Sequence, residues 1–321
     1  MFENIINKIA NSNSILVISH VNPDGDTCGS ALAMYGALKN LNKDVYVVCD
    51  SEFNRKLSFL PNFDKYNKVD ENKKFDLYIA VDCSDDLRLG KYQKAFLKAK
   101  NSICIDHHST NNKYAKINVV DSNAAANCEI IYKVLLELDA YSPCLSKEIG
   151  TCLYSGIITD SGNFMNSSTT HVTKQIANEI EMKFDVDTAK IVQHFMNETT
   201  IDVFNLKTRV LSKAKFYENN TIGIIYFAQE DFAATVTTYV DTEGIVNVIR
   251  DIDTIQIAVA VTQMSETNYK VSLRSLPECR VDRLANSFGG GGHPAAAGFA
   301  LQGNYYDVME KILKACKDYV I

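Results

Sequence analysis

Apolar and polar positions along the first half alternate in short blocks. Ile15 to His20 (Ile-Leu-Val-Ile-Ser-His), Asp44 to Cys49, Phe75 to Asp82 and Ser102 to Asp106 are brief β-branched runs of the kind that form buried strands. Helical periodicity lies between and after them, at about 30–41, 86–99, 124–139 and 146–158. Strands alternating with helices predict βαβ units and a mostly parallel sheet. Residues 172–215 read as polar and helical. The strand pattern restarts at 221–227, 255–262 and 269–275, with helices near 229–237, 242–250, 281–287 and 305–319. The expected layout is a domain over 1–185, a helical linker over 186–215 and a smaller α/β domain over 216–321.

Composition is that of a globular protein: 321 residues, 46% hydrophobic and 22% charged. A net charge of -6 gives no general attraction for a long polyanion, so long duplex nucleic acid is not an expected partner. Nine cysteines without a C-x-x-C pair predict free thiols in a reducing cytoplasm. Residues 1–13 lack the basic and apolar regions of a signal peptide, and no apolar run approaches the ~20 residues that span a bilayer. A membrane partner is therefore not expected.

Residues with metal or proton chemistry collect where the predicted strands end. His20 closes the first, Asp82 the third, and Asp106, His107 and His108 the fourth. Ligands of open parallel sheets bind outside the carboxyl ends of the strands. Several separate segments therefore deliver such groups to one rim. Each segment alone has a plainer reading. His20-Val-Asn-Pro-Asp24-Gly-Asp26 is also turn sequence. Asp82 could cap a helix, Asp106-His107-His108 could be a solvated loop, and Asp160 with Gly162 could end a helix. Cys28-Gly29-Ser30 is expected to open a helix. The run Gly289, Gly290, Gly291, Gly292 frees backbone N–H groups for close approach to a phosphate, although a flexible linker would look similar. His293-Pro294 followed by alanines is expected to start a short helix with a further anion site. His171 and His194 are expected to be structural or surface residues.

His-x-x-x-Asp-x-Asp, a lone Asp at a strand end, Asp-His-His and a later Thr-Asp resemble, in that order, the DHH phosphoesterases. Ser272-Leu-Arg274-Ser275 with the Gly-Gly-Gly-Gly-His-Pro segment resembles their associated DHHA1 domain. The likeness runs from about residue 14 to 317. It implies a DHH domain and a smaller DHHA1 domain with the active site in a cleft between them. It also implies two divalent cations, one on His20, Asp24 and Asp82 and the other on Asp26, Asp82, His107 and Asp160. Asp106 would orient the histidines and His108 would touch the reacting phosphate. Arg274, Ser275, Gly289 to Gly292 and His293 would bind the rest of the substrate. These hard oxygen and imidazole donors suit Mn²⁺, with Mg²⁺ or Fe²⁺ as alternatives.

Within that family the chain looks most similar to oligoribonucleases of the nanoRNase type. These cleave RNA roughly two to five nucleotides long and dephosphorylate adenosine 3′,5′-bisphosphate (pAp). A phosphodiesterase cleaving the linear dinucleotide pApA is an alternative, and a manganese inorganic pyrophosphatase a more distant one. A silent nucleotide-binding module is a further class, but no ligand position is missing. Oligomeric state is open, a homodimer included.

Overall fold

The computed structural model describes residues 2–70 and 73–321. The chain divides into two compact units, 1–198 and 199–321. In the first, α1 (Glu3–Ala10), β1 (Ser14–Ser19), α2 (Gly25–Asn40), β2 (Asp44–Val48), β3 (Leu77–Val81), α3 (Gln93–Lys98), β4 (Ser102–Asp106) and β5 (Ile117–Val120) are followed by four helices. These are α4 (Asn127–Tyr141), α5 (Lys147–Asp160), α6 (His171–Phe184) and α7 (Thr188–Val192). The five strands form one wholly parallel sheet in the order β2-β1-β3-β4-β5. One face packs on the large apolar cluster that includes α2, α4 and α5, the other on a smaller one around Leu16, Ile18, Leu89 and Phe96.

Helix α2 is buried along its length from Gly25 to Leu38, lying between the sheet and α5. It starts five residues before the expected position. Asp24 has an extended backbone and accepts the Thr27 N–H at 2.9 Å, which is an N-cap, so the Asn-Pro-Asp-Gly sequence leads into a helix and not a free loop. Asp26, Cys28 and Gly29 are consequently helical. Gly29 allows α5 to approach, because a side chain there would strike the Cys152 carbonyl. The 86–99 stretch is a 3₁₀ segment, Asp86–Tyr92, broken at Gly90 before α3. Neither α1 nor β5 was expected. α1 buries Ile5, Ile6 and Ile9 beneath a polar exterior, and β5 is an edge strand of only four residues.

In the second unit, α8 (Ile201–Leu211), β6 (Lys215–Tyr217), β7 (Ile222–Phe227), α9 (Gln229–Thr235), α10 (Ile245–Arg250), β8 (Ile257–Gln263) and β9 (Asn268–Ser275) come first. α11 (Val281–Ser287), β10 (Gly291–His293), β11 (Ala296–Gln302) and α12 (Tyr305–Lys317) complete it. The stretch 186–215 is divided, with α7 in the first unit and α8 in the second. The sheet is mixed, in the order β10-β11-β9-β8-β7-β6. His293 does not begin a helix. It ends β10, and Ala296 to Gln302 pair in register with β9. Ladder hydrogen bonds to β9 outweigh the helix propensity of three alanines. No described helix is long and apolar enough to cross a membrane.

Candidate metal centre

In the first sheet the connections diverge on either side of β1 and β3, which makes the crevice between their carboxyl ends the topological switch point. His20 directly follows β1 and Asp82 directly follows β3. Asp106 ends β4 and His107 follows it. Helix α2 adds Asp24 and Asp26 from its first turn, and α5, packed along α2, adds Asp160 from its last residue.

Asp82 is the centre of the cluster. It is 2% exposed and adopts φ +54°, a left-handed conformation costly for a residue other than glycine. That backbone turn aims its carboxylate across the crevice. Oδ2 accepts the Thr27 hydroxyl at 2.5 Å and lies 3.5 Å from His20 Nε2, which is 3.8 Å from Asp24 Oδ2. Oδ1 lies 3.4 Å from His107 Nε2, and His107 Nε2 is 3.4 Å from Asp160 Oδ2 and 4.0 Å from Asp26 Oδ2. Three overlapping groups of ligand atoms therefore share Asp82: one with His20 and Asp24, one with Asp26 and His107, and one with Asp106 and His108.

The donors fit divalent cations. Among the described residues Asp82 Oδ1 is buried without a hydrogen-bond partner, an arrangement that a bound cation would satisfy. Both inward-facing imidazoles are fixed from behind. His20 Nδ1 lies 2.8 Å from the Val21 carbonyl and His107 Nδ1 3.1 Å from the Ala124 carbonyl, a geometry in which Nδ1–H donates to the carbonyl and Nε2 would be left to a metal. Asp26 accepts the Asn127 and Cys128 N–H groups at the start of α4, at 2.5 and 2.9 Å. Without cations the cluster is electrostatically strained. Burial, then the Asp82 charge, pushes Asp26 up to about 7. His107 pays for its burial but is held well above the ordinary imidazole value by Asp82, Asp160 and Asp26. The same imidazoles pull Asp82 well below the carboxylate range against its burial.

Asp106 backs His108: its Oδ1 is 2.8 Å from His108 Nδ1, while Oδ2 accepts the Asn111 amide at 2.7 Å. His107 takes its orientation from the Ala124 carbonyl. Sequence reasoning overlooked Asn111 and Thr27. A turn-forming Asn three residues past a His-His pair, and a hydroxyl three residues after an N-cap Asp, were the available signals. Cys28, Cys83 and Cys104 are buried free thiols like the other six cysteines, and none is among the ligand groups.

In the second unit, Arg274 of β9 and His293 of β10 both stand opposite Ala296 of β11. Cross-strand partners share a face, so the two side chains flank a small residue. The adjacent row is Ser272, Gly298 and Gly291. Ser275, expected to bind substrate, lies on the other face from Arg274, buried, its hydroxyl donating to the Leu276 carbonyl at 2.9 Å. Gly290 and Gly292 are packed so closely on β11 that a side chain would strike the Gly298 and Ala296 carbonyls, and Gly289 and Gly292 have positive φ. Phe59 stacks on His194, and His171 begins α6, so neither of these histidines is among the ligand groups.

Residues 14–157 match the DHH family, N-terminal domain, and residues 228–321 match the DHHA1 domain. The bifunctional oligoribonuclease and PAP phosphatase NrnA of Thermus thermophilus is 31% identical over 307 residues, which span 95% of this chain and 89% of that protein. The chain belongs to the DHH family. It is thus a DHH family phosphoesterase, and its aligned DHH segment contains five of the six expected ligands, all but Asp160. The NrnA of Bacillus subtilis, named likewise, is 24% identical over 98% of both chains. An exopolyphosphatase-related protein from Bacteroides fragilis has the same fold, with a TM-score of 0.89, 24% identity, and coverage of 99% of this chain and 96% of that one.

Proposed function

We propose that this DHH phosphoesterase hydrolyses very short oligoribonucleotides to mononucleotides and pAp to AMP in the cytoplasm. The observation that carries the reading is the buried carboxylate–imidazole cluster at the switch point, in which one aspartate, Asp82, faces both neighbouring ligand groups. The oligoribonuclease and PAP phosphatase names of full-length relatives support the substrate class.

His20, Asp24 and Asp82 would hold one divalent cation, and Asp26, Asp82, His107 and Asp160 a second, with Mn²⁺ the best match to the donors. Bound cations supply Lewis acidity and an activated water for in-line displacement at phosphorus. The chain's residues do the rest. His108, steadied by Asp106, contacts the phosphoryl group and delivers a proton to the departing nucleoside oxygen. Arg274, His293 and the glycine-rich turn grip the other end of the nucleotide through a guanidinium fork and backbone N–H groups. An end grip selects short substrates, because a longer strand gains no further contact.

Purified protein assayed on pAp, pApA, RNA dimers, RNA pentamers, a long RNA and pyrophosphate tests this directly. Turnover is expected on pAp and the short RNAs, abolished by chelator and restored best by Mn²⁺. Arg274→Ala should lower kcat/KM on dinucleotides about tenfold or more while sparing a small artificial phosphodiester. Equal efficiency of the wild type on dimer and long strand would defeat the end-grip account. Preference for pyrophosphate would overturn the substrate class.

A further inference from the structure

Helix α4 starts beside the metal cluster, and the peptide groups at its start are divided among ligands of one cation. The Asn127 and Cys128 N–H groups go to Asp26, and the Ala124 carbonyl faces His107 Nδ1 at 3.1 Å. The N–H of the next residue, Ala125, belongs to the same peptide unit as that carbonyl. It donates to Glu129 Oε1 at 3.0 Å. A trans peptide points its C=O and its N–H in opposite directions. Glu129 and His107 therefore hold one peptide from its two sides, in the order carboxylate, peptide, imidazole.

The plainer reading is a helix cap. Glu129 stands three residues past the N-cap Ala126, where a glutamate or a glutamine commonly reaches back to a backbone N–H. Glu129, however, is 1% exposed, and Ala124, Ala125 and Ala126 are buried with it. Burying a carboxylate is costly where an uncharged amide would accept the same hydrogen bond. Burial raises the Glu129 carboxyl above its ordinary value, the mark of a charge held away from water. That charge has a use if His107 holds a metal. A carboxylate behind a ligating imidazole fixes the ring and raises its basicity. Here a peptide stands between the two. The carboxylate polarises the Ala124–Ala125 unit, and the polarised carbonyl becomes a stronger acceptor for His107 Nδ1–H.

We infer that Glu129 is a positioning residue for the second cation, acting as a carboxylate on His107 through the Ala124–Ala125 peptide. The inference rests on the two-cation reading above. Glu129 is not itself among the ligand groups. Its effect therefore falls on how tightly the cation of Asp26, Asp82, His107 and Asp160 is held, and not on the cation of His20 and Asp24.

The test is a calorimetric titration of the metal-free full chain with Mn²⁺, with Tm in chelator measured alongside. The wild type should take up two Mn²⁺ per chain. Glu129→Gln keeps the acceptor and the shape and removes the charge. It should raise the dissociation constant of one Mn²⁺ about tenfold or more, leave the other nearly unchanged, and not lower Tm in chelator. Glu129→Ala, which also strips the Ala125 N–H of its acceptor, should weaken the same Mn²⁺ further; if it folds poorly, the glutamine variant still decides. Wild-type affinity for both Mn²⁺ in Glu129→Gln overturns the inference and leaves Glu129 a helix cap. Equal weakening of both ions, or a Tm in chelator that falls in step with affinity, overturns it too. A wild type that binds fewer than two Mn²⁺ would instead overturn the two-cation reading.

Discussion

Adjacent histidines of identical chemistry are separated by what stands behind each ring. The Ala124 carbonyl behind His107 turns Nε2 onto Asp82, Asp160 and Asp26, whereas Asp106 behind His108 holds it as a carboxylate-backed imidazole at the crevice edge, 14% exposed. His107→Ala is therefore expected to lower bound metal per chain. His108→Ala should retain the metal and lose about 10²–10⁴-fold in turnover, the usual scale for a proton donor. Elemental analysis beside steady-state kinetics decides it, and equal metal loss in both variants would refute the division. The sequence pattern exposed both histidines as candidates. It could not say which carbonyl or carboxylate would lie behind each, since Ala124 is 17 residues from His107.

At the scale of elements, the site depends on how closely α5 and α2 approach. A Cβ on Gly156 would press on Cys128 Sγ and come within 2.8 Å of Asp26 Oδ1. Gly156→Ala should thus cost about 1–3 kcal/mol of stability through overpacking and, by displacing the Asp26 carboxylate, weaken metal loading. Calorimetry with a metal titration reads both; unchanged affinity for Mn²⁺ would mean that α2 absorbs the strain without moving Asp26. The strands carrying His20, Asp82 and Asp106 were legible because β-branched runs mark them. The start of α2 was not, since Pro23, Asp24 and Gly25 suit a turn as well as a helix cap, and burial of Asp26 against α4 chose the helix. Strand β11 was hidden because three alanines carry helix propensity, and only its pairing with β9 overrides it.

For the molecule as a whole, the cluster predicts a pH response that metal should invert. Asp26 titrates higher in the folded chain than its ordinary value of 3.8, so its ionisation destabilises the metal-free fold as pH rises from that value through about 7. His107, held well above 6.5, contributes stability that is complete below 6.5 and disappears as pH climbs through its raised value. Asp82, held low, contributes stability lost only in acid below 3.8, outside this window. The metal-free protein should accordingly have a higher Tm near pH 5.5 than near pH 8. Divalent cations require Asp26 and His107 deprotonated, so added Mn²⁺ should raise Tm more near pH 8 than near pH 5.5. Scanning calorimetry with chelator and with Mn²⁺ at both pH values would expose a failure, namely Tm shifts by Mn²⁺ that do not depend on pH.

What the sequence by itself determined is the set of local facts: strand blocks with acids and histidines at their ends, free thiols, and a glycine-rich turn after Arg274. Those follow from residue type and from periods of two and 3.6 residues, which act over a few neighbours. Tertiary structure alone decided that β1 and β3 are neighbours, so that His20 and Asp82, 62 positions apart, lie 3.5 Å from each other. It also decided that Asp82 is held with positive φ and that Ser275 faces the core while Arg274 does not. The physical reason is the same in each case. Strand order, register and the competition of donors for acceptors are settled by contacts between segments distant in the chain, and a local pattern carries no term for those contacts.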